Sequence, residues 1–188
     1  GVTKRHCIGL PVLGREVRVV DDARRDLPPG QVGRILVRGE PLFSGYYRNP
    51  EATAACMQDG WLDTGDNGSM DADGYLYFFD RSKDVIKSGG ENIYPKGGER
   101  GSHTHPYVLE PAVVGVHDPL RDEAVKAFVV MKPGESMTED EVREWCAQHL
   151  ARFKVPTHVE FRGPLPRTSI GKITKVELRA GERARAGR

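Results

Sequence analysis

Three short stretches of the chain combine cations, carboxylates and glycines in a way that suits a phosphate-containing ligand. Residues 80–95 read DRSKDVIKSGGENIYP and place several charged side chains just before a Gly-Gly pair. Residues 63–66 read DTGD, and the carboxylate of Asp66 can accept two hydrogen bonds from a ribose diol. Residues 167–174 read RTSIGKIT and carry a lysine on a glycine-containing turn. Taken singly, each stretch is more typical of a solvated surface turn.

Other signatures of catalytic chemistry are incomplete in this sequence. Gly171 and Lys172 lack the upstream glycine of GxxxxGK[ST], so a Walker phosphate loop is excluded. His103 and His105 have no cluster of further His, Cys or acidic residues nearby to complete a metal shell, and we predict no metal site in this chain. The GxSxG pattern of a nucleophile elbow is also missing.

Composition and charge argue against several classes of protein. The chain carries 28 Lys and Arg against 27 Asp and Glu, so nothing in its net charge favours a nucleic-acid partner. Cys7, Cys56 and Cys146 are widely spaced without a CxxC pair, which is typical of reduced thiols in a cytosolic protein. We find no signal peptide and no apolar run long enough to span a bilayer, and we predict a cytoplasmic protein. The oligomeric state stays open.

The elements that must position these residues fall into two different halves. Residues 1–80 read as short β-branched strands separated by turns, for example EVRVVD and VGRILVRG. The second half mixes apolar strands with a helix over residues 138–151, where Thr138 and Glu141 predict a capping box. Because strands and helices do not alternate as in βαβ units, the sequence predicts an α+β fold. We expect a β-rich first part and then a short antiparallel sheet flanked by helices.

Read in order, five blocks of the sequence resemble the adenylate-forming enzymes, which include acyl-CoA synthetases, firefly-type luciferases and peptide-synthetase adenylation domains. The blocks are GRILVRGEPLFSGYYRNPEAT, GWLDTGD, DRSKDVIKSGGENIYP, LARFKVP and PRTSIGKITKVELR. Each is moderately specific, but all five occur in the family's order and spacing over nearly the whole chain. The Gly-Gly-Glu-Asn of the third block, and the residues that follow it, favour the acyl-CoA synthetase branch.

The resemblance implies roles for residues that handle the nucleotide. Asp66 matches the carboxylate that binds the ribose hydroxyls, and Arg81 matches an arginine that also reaches the ribose. Lys172 matches the catalytic lysine that bridges the carboxylate and the phosphate when the acid is joined to ATP. A fixed ammonium at the developing negative charge would lower the barrier to that step.

A second group of implied roles concerns the later thioester step. Lys83 occupies the family's hinge position, about which the small C-terminal domain rotates. Lys87 matches a lysine that some members use for catalysis of thioester formation. Gly89, Gly90 and Glu91 lie where the family has its coenzyme A channel, and glycines there let the backbone approach a narrow ligand.

The resemblance therefore implies two domains and one overall reaction. Residues 1–82 correspond to the β-rich end of the N-terminal adenylation domain, and residues 83–188 to the mobile C-terminal domain. The expected activity is that of an ATP-dependent acyl-CoA synthetase, a ligase of fatty acid metabolism. It converts a small-molecule carboxylic acid, expected to be a fatty acid, into acyl-AMP and then transfers the acyl group to coenzyme A.

Two parts of the family pattern are absent from the sequence. One is the Ser/Thr/Gly-rich phosphate loop, and the other is the block whose Thr-Glu contributes to ATP and Mg²⁺ binding. We therefore expect the Mg²⁺ ligands outside this chain, and we expect the chain alone not to complete adenylation. Two alternatives stay open: an adenylation domain that serves a carrier protein, and a non-catalytic docking module derived from such a domain.

One segment departs from the family. After ENIYP, residues 96–104 read KGGERGSHT where the family has an amphipathic helix. Each glycine costs a helix about 1 kcal/mol relative to alanine, so several of them should abolish a short helix. The sequence predicts a loop or disorder here and a gap in the packing of the second domain.

Overall fold

The computed structural model describes residues 4, 7–40, 42–96 and 105–186. The chain divides into two units, Gly1–Lys83 and Asp84–Arg188. Each unit combines helix with sheet, and most neighbouring strands run antiparallel, so the α+β prediction is confirmed. The departure predicted for residues 96–104 lies outside the described residues, apart from Lys96.

The first unit is built on one antiparallel sheet. Its described elements are strands β1 (Cys7–Gly9), β2 (Arg15–Val20), β3 (Gly33–Gly39), β4 (Met57–Gln58), β5 (Trp61–Met70) and β6 (Leu76–Arg81), and helix α1 (Pro50–Cys56). The strand order is β1-β6-β5-β3-β2, and β4 pairs with β5. Adjacent residues of β2 and of β3 are buried in two separate apolar clusters, so both faces of the sheet are covered at its centre.

The second unit contains a sheet with a helix packed on each face. Its described elements are strands β7 (Ile86–Ser88), β8 (Glu91–Ile93), β9 (Val108–Asp118), β10 (Asp122–Met131) and β11 (His158–Phe161), and helices α2 (Glu139–His149) and α3 (Lys175–Ala186). The order is β11-β10-β7-β8, and β9 also pairs with β10. The antiparallel sheet was predicted correctly except at one edge, because β11 runs parallel to β10.

The alternation of side chains along β9 and β10 produces the two cores of this unit. Val113 and Val129 point to the face that carries α2, which contributes Val142 and Cys146 to the same cluster. Val114 and Phe128 point to the opposite face, where they meet Leu178 of α3 and other apolar side chains. Because neighbouring strand residues serve opposite faces, the long β9–β10 hairpin supports both helices at once.

Local sequence signals set the helix starts. Asn49 caps α1 by accepting a hydrogen bond from the backbone N–H of Ala52 at 3.0 Å. Thr138 and Glu141 form the predicted capping box at the start of α2. The helix ends at His149, two residues before the predicted limit, and a 3-10 turn follows at Arg152–Lys154. None of the described helices is long and apolar enough to cross a membrane.

The junction of the two units is a 3-10 turn at Ser82–Asp84. Asp84, the first residue of the second unit, accepts a hydrogen bond from the guanidinium of Arg179 in α3 at 2.9 Å. Both side chains are largely buried, at 14% and 16% exposure. The residue directly after Lys83 is therefore attached to the last helix of its own unit.

Removal of this attachment should destabilise the second unit. Asp84→Ala leaves the Arg179 guanidinium largely buried without its carboxylate, and we expect a loss of about 2–3 kcal/mol in the free energy of unfolding. Urea denaturation measures the change. Arg143→Ala is the matched control, since its pairs with Glu139 and Asp140 are more exposed and should cost no more than about 1 kcal/mol. Equal losses in the two variants would contradict the anchoring role.

Candidate active site

Asp66 and Arg81, the two predicted nucleotide-binding residues, meet in the first unit. They are cross-strand partners in the pairing of β5 with β6. Nε of Arg81 lies 3.0 Å from Oδ1 of Asp66, and this oxygen is buried without a hydrogen bond. The arginine side chain is 50% exposed and the aspartate 30%, so both groups are partly accessible to solvent. This acid–arginine pair can offer acceptors and donors side by side to adjacent hydroxyl groups.

The DTGD sequence forms an irregular stretch within β5 that presents Asp66. The carboxylate of Asp63 accepts the N–H of Gly65 at 2.9 Å, and the hydroxyl of Thr64 accepts the N–H of Asp66 at 3.2 Å. The Thr64 hydroxyl also donates to a backbone carbonyl of β3 at 2.9 Å. Gly65 has φ of +70°, which a residue with a side chain adopts only with strain. The two side chains before Asp66 thus hold the backbone that carries it.

The turn between β5 and β6 sets the register of the residues next to it, and a one-residue bulge at Phe79 then shifts the pairing so that Asp66 lies opposite Arg81. The carboxylate of Asp71 accepts hydrogen bonds from the backbone of Asp73 and Tyr75, from the hydroxyl of Tyr77 and from the ammonium of Lys4. The hydrogen bond from Lys4 is the main reason that the pKa of Asp71 is lowered to about 2. The carboxylate therefore stays ionised, and the turn stays closed, well below neutral pH.

In the second unit, Gly89 and Gly90 form the two-residue loop between β7 and β8. Ser88 pairs with Glu91 across the hairpin, and the glycines have φ of +58° and +84°. Positive φ at both loop positions is the type I′ turn that matches the twist of the flanking strands. Apart from the adjacent residues in the chain, no atom of the described residues lies within 4 Å of a Cβ built on either glycine. Within its own unit, the hairpin needs glycine for its backbone torsions and not for space.

Lys87 is one of the residues that line an open cleft of about 900 Å³ on the same unit. Its backbone N–H donates to the carboxylate of Glu123 at 2.8 Å. Inside the cleft, Lys126 forms ion pairs with Glu160 and Glu182 at 2.8 and 2.7 Å. No acidic partner of the Lys87 ammonium is found among the described residues, so this cation can interact with an incoming anion.

Lys172 follows the tight turn of a small hairpin. Arg167 and Ile173 form an isolated β-bridge, and the N–H of Gly171 donates to the carbonyl of Thr168 at 2.9 Å. The N–H of Thr168 in turn donates to the carbonyl of Lys172 at 2.8 Å. Gly171, with φ of +81°, supplies the left-handed residue that this turn-plus-bulge arrangement requires. The Lys172 side chain is exposed at the end of this loop.

The structure therefore places the predicted residues in three local groups. The acid–arginine pair lies on β5–β6, the β7–β8 hairpin carries Lys87, Gly89, Gly90 and Glu91, and a separate hairpin carries Lys172. Lys83 lies at the junction of the units and is exposed. In the ranges that the structure describes, no group of three or more His, Cys, Asp or Glu could hold a metal ion.

Sequence reasoning missed several side chains that hold these groups in place. The roles of Asp63 and Thr64 could have been predicted from the sequence, because in an Asx turn or a Ser/Thr turn the side chain accepts a hydrogen bond from the backbone two residues later. Arg34, which pairs with Asp63 at 2.9 Å, and Glu123 gave no such signal. Both lie on strands far along the chain from the groups that they contact.

The two glycines of the β7–β8 hairpin should differ in their tolerance of substitution. Gly89→Asn should leave the thermal midpoint nearly unchanged, because Asn-Gly is a favoured type I′ sequence. Gly90→Ala should cost about 1–2 kcal/mol, because alanine is strained in the left-handed region. Neither position is crowded, so steric contacts should not affect the result. Thermal unfolding measures the stability of both variants. Equal destabilisation would contradict the conclusion that the hairpin needs glycine only for its backbone torsions.

Comparison with known proteins identifies related sequences along most of the chain. The model of the AMP-binding enzyme family matches residues 2–47, and that of the AMP-binding enzyme C-terminal domain matches residues 99–172. A crotonobetaine/carnitine–CoA ligase from Citrobacter koseri is 44% identical over 176 residues, which is 92% of this chain and 34% of that ligase. The chain thus spans about a third of the length of this curated relative.

Solved structures agree with these sequence matches. ATP-bound MatB from Rhodopseudomonas palustris is 38% identical, with a TM-score of 0.85 over 94% of this chain and 35% of its own. The o-succinylbenzoate CoA synthetase from Bacillus subtilis, in complex with the acyl-adenylate intermediate OSB-AMP, is 33% identical, with a TM-score of 0.86 over 93% and 36%. The amide bond synthetase McbA from Marinactinospora thermotolerans is 40% identical, with a TM-score of 0.82 over 94% and 36%.

The matches and the geometry point to the same class of protein. The acid–arginine pair, the glycine hairpin and the Lys172 hairpin all occur in a chain whose fold follows that of ATP-bound and acyl-adenylate-bound enzymes over more than nine-tenths of its length. The chain belongs to the AMP-binding, or adenylate-forming, enzyme family, and it includes the C-terminal domain of that family.

Proposed function

We propose that this chain supplies part of the active site of an ATP-dependent acid–CoA ligase. The observation that carries the proposal is the contact of Asp66 with Arg81 at 3.0 Å, formed by the two residues for which a ribose-binding role is expected. The named ligase relatives support an acid, ATP and CoA as substrates. Because the chain spans about a third of their length, we assign the complete reaction to a polypeptide that also contains the other parts of such a ligase.

The first half-reaction joins the acid to AMP. A carboxylate oxygen of the acid forms a bond to the α-phosphorus of ATP, while the bond from that phosphorus to the pyrophosphate oxygen breaks. Asp66 and Arg81 bind the ribose and so fix the position of the α-phosphate. The ammonium of Lys172 holds the two anions at attack distance and offsets the charge that builds up between them. Lysine suits this role because it is a compact charge on a long stem.

The second half-reaction transfers the acyl group to CoA. The thiol sulfur attacks the acyl carbonyl carbon, the bond to the AMP oxygen breaks, and AMP and the thiol proton are released. Lys87, whose ammonium can interact with an anion, stabilises the departing phosphate. The backbone of Gly89 and Gly90, followed by Glu91, lines the channel for the narrow pantetheine arm.

Lys83 acts as the hinge between the two half-reactions. It is exposed, and it lies where the chain passes from one unit to the other. The attachment of Asp84 to Arg179 makes the second unit start directly after this residue. A change in the backbone torsions at Lys83 can therefore turn residues 84–188 as one body between a position for Lys172 and a position for the β7–β8 hairpin.

The proposal also covers the acid substrate and the metal ion. We propose that the enzyme is cytoplasmic and that its acid substrate is a fatty acid. Because a crotonobetaine/carnitine–CoA ligase is among the relatives, small charged acids should be the first substrates compared with fatty acids in an activity assay. Mg²⁺ would accompany ATP. The described residues provide no cluster that fits it, so we place its ligands in the part of the ligases that this chain does not span.

A second candidate differs only in the acceptor. The likeness to an amide bond synthetase favours an amine in place of the CoA thiol, with the first half-reaction unchanged. A carrier-protein thiol is a further acceptor within the same chemistry. Incubation of the acyl-adenylate with CoA, with amines and with a phosphopantetheinyl carrier protein separates these candidates by their products.

A docking module without catalysis is tested by nucleotide binding. Calorimetry with AMP should detect binding that Asp66→Ala abolishes, because the alanine removes the acceptor for the ribose hydroxyls. This measurement and all kinetic measurements use an intact ligase, meaning a polypeptide that joins this chain to the part of the ligases that it does not span. No binding by the intact ligase would favour the docking module.

Lys172→Ala should separate the two half-reactions. We expect adenylation, measured as acid-dependent exchange of pyrophosphate into ATP, to fall by about 100-fold or more, because a preorganised charge is lost. Thioester formation from supplied acyl-adenylate should change by no more than about twofold, a factor worth less than about 0.5 kcal/mol in barrier height. Lys132→Ala, which removes another lysine of the second unit, is the control. Equal losses in both half-reactions would show that Lys172 has a different role.

Lys83→Pro should block alternation of the two half-reactions. Proline fixes φ near about −65° and also restricts the preceding residue, so only one arrangement of the units should remain accessible. We expect one half-reaction to continue and overall turnover to drop by about tenfold or more, in line with a blocked conformational step. Lys83→Ala removes the charge but keeps the torsional freedom and should behave like the wild type. Normal turnover of the proline variant would rule out a hinge at this residue.

A further inference from the structure

Arg167 connects the Lys172 hairpin to the sheet of the second unit. One guanidinium nitrogen donates to the backbone carbonyl of Gly171 at 2.7 Å. Another nitrogen of the same group forms a short ion pair with the carboxylate of Glu110 on β9. We propose that Arg167 and Glu110 are positioning residues for Lys172, and that they hold its backbone in the orientation required for the adenylation step. The proposal rests on the function proposed for Lys172.

The hairpin needs an external contact because its internal hydrogen bonds fix only its own shape. The bonds between Thr168, Gly171 and Lys172 close the turn. They leave free the direction in which the turn projects from the sheet. The carbonyl of Gly171 belongs to the peptide bond that leads into Lys172, so a donor on that oxygen restrains the lysine backbone directly.

The base of the hairpin is held by packing on both sides. Leu165, just before it, and Leu178, just after it, are both buried at 3% exposure in the same apolar cluster. The N–H of Thr174 donates to the carbonyl of Pro166 at 2.8 Å. At the far end of the hairpin, Ile170 is 75% exposed, so apolar packing contributes little there. Arg167 is the group that ties this exposed end to β9.

Arginine is suited to this role by the shape of its side chain. The planar guanidinium offers several N–H groups in fixed directions, so it can bind a carbonyl and a carboxylate at the same time. Lysine has a single flexible ammonium and would not hold both acceptors in one geometry. Glu110 is 20% exposed and lies on β9, where its backbone pairs with Val130 of β10, so its carboxylate is a fixed point.

The contribution should appear in catalysis and hardly at all in stability. Arg167 is 46% exposed, and an ion pair with that exposure adds little to the free energy of unfolding. A displacement of about 1 Å at a reacting group can nevertheless lower a rate by about 100-fold. Loss of the contact should therefore reduce the rate of adenylation while the fold is kept.

The test compares both half-reactions of the intact ligase in Arg167→Ala. We expect kcat for adenylation to fall by about 10- to 100-fold, with KM for ATP and for the acid changed by no more than about twofold, since Asp66 and Arg81 bind the nucleotide and a displaced Lys172 loses mainly its contact with the transition state. Thioester formation from supplied acyl-adenylate should stay within about twofold of the wild-type rate. Unchanged adenylation, or an equal loss in both half-reactions, would overturn the proposal.

Conservative substitutions separate positioning from simple loss of charge. Arg167→Lys keeps the cation next to Glu110 but can bind one acceptor well, so its adenylation rate should lie between those of the wild type and Arg167→Ala. Glu110→Gln removes the negative charge of the carboxylate that binds Arg167, and it should lower the adenylation rate less than Arg167→Ala does. Arg143→Ala, which removes an arginine bound to two carboxylates of α2 in the same unit, is the matched control and should behave like the wild type.

A double variant shows whether Arg167 acts through Lys172. If it does, Arg167→Ala should cause no further loss of adenylation in the Lys172→Ala background, because residues that act as a unit are not additive. Multiplicative losses would overturn the positioning role. A normal rate in Lys172→Ala itself would instead refute the proposed function of the lysine. A low rate in Lys172→Ala with a normal rate in Arg167→Ala would refute only the positioning role of Arg167.

Discussion

The pairing of two antiparallel strands, β5 and β6, brings together Asp66 and Arg81, the two residues that we propose bind the nucleotide. Asp66 and Arg81 are adjacent because the Asp71 turn sets the register of β5 with β6 and a one-residue bulge at Phe79 then shifts it by one position. A slip by one residue would send each side chain to the opposite face of the sheet. The carboxylate of Asp71, with its lowered pKa and four donors, makes that register costly to change.

The second unit presents two loops, and each carries a lysine for which we propose a catalytic role. Its β9–β10 hairpin has apolar side chains on both faces, and each face carries a helix. The loops themselves are small hairpins whose glycines adopt positive φ: Gly89 and Gly90 in one, and Gly171 in the other. Such loops have few accessible shapes, so residues that follow them are held in place without being buried.

The sequence predicts contacts between residues that are close along the chain better than contacts between distant residues. The capping box was predicted well, since Thr138 meets Glu141 within one helical turn. The sequence predicted an antiparallel sheet but did not indicate that β11 runs parallel to β10, because that direction is set by packing against β10 and by the helix that connects the two strands. The Arg167–Glu110 pair was not predicted at all, and its members lie 57 residues apart.

The sequence by itself determined the family and the α+β class, and it supplied the candidate site residues, because each of the five blocks is a local pattern of charges and glycines. The tertiary structure decided which of those residues have partners. It joined Asp66 to Arg81, attached Asp84 to Arg179 and linked Gly171 to Glu110 through one guanidinium. Such contacts depend on strand register and helix docking, and these are set by the burial of apolar faces and not by neighbouring residues in the chain.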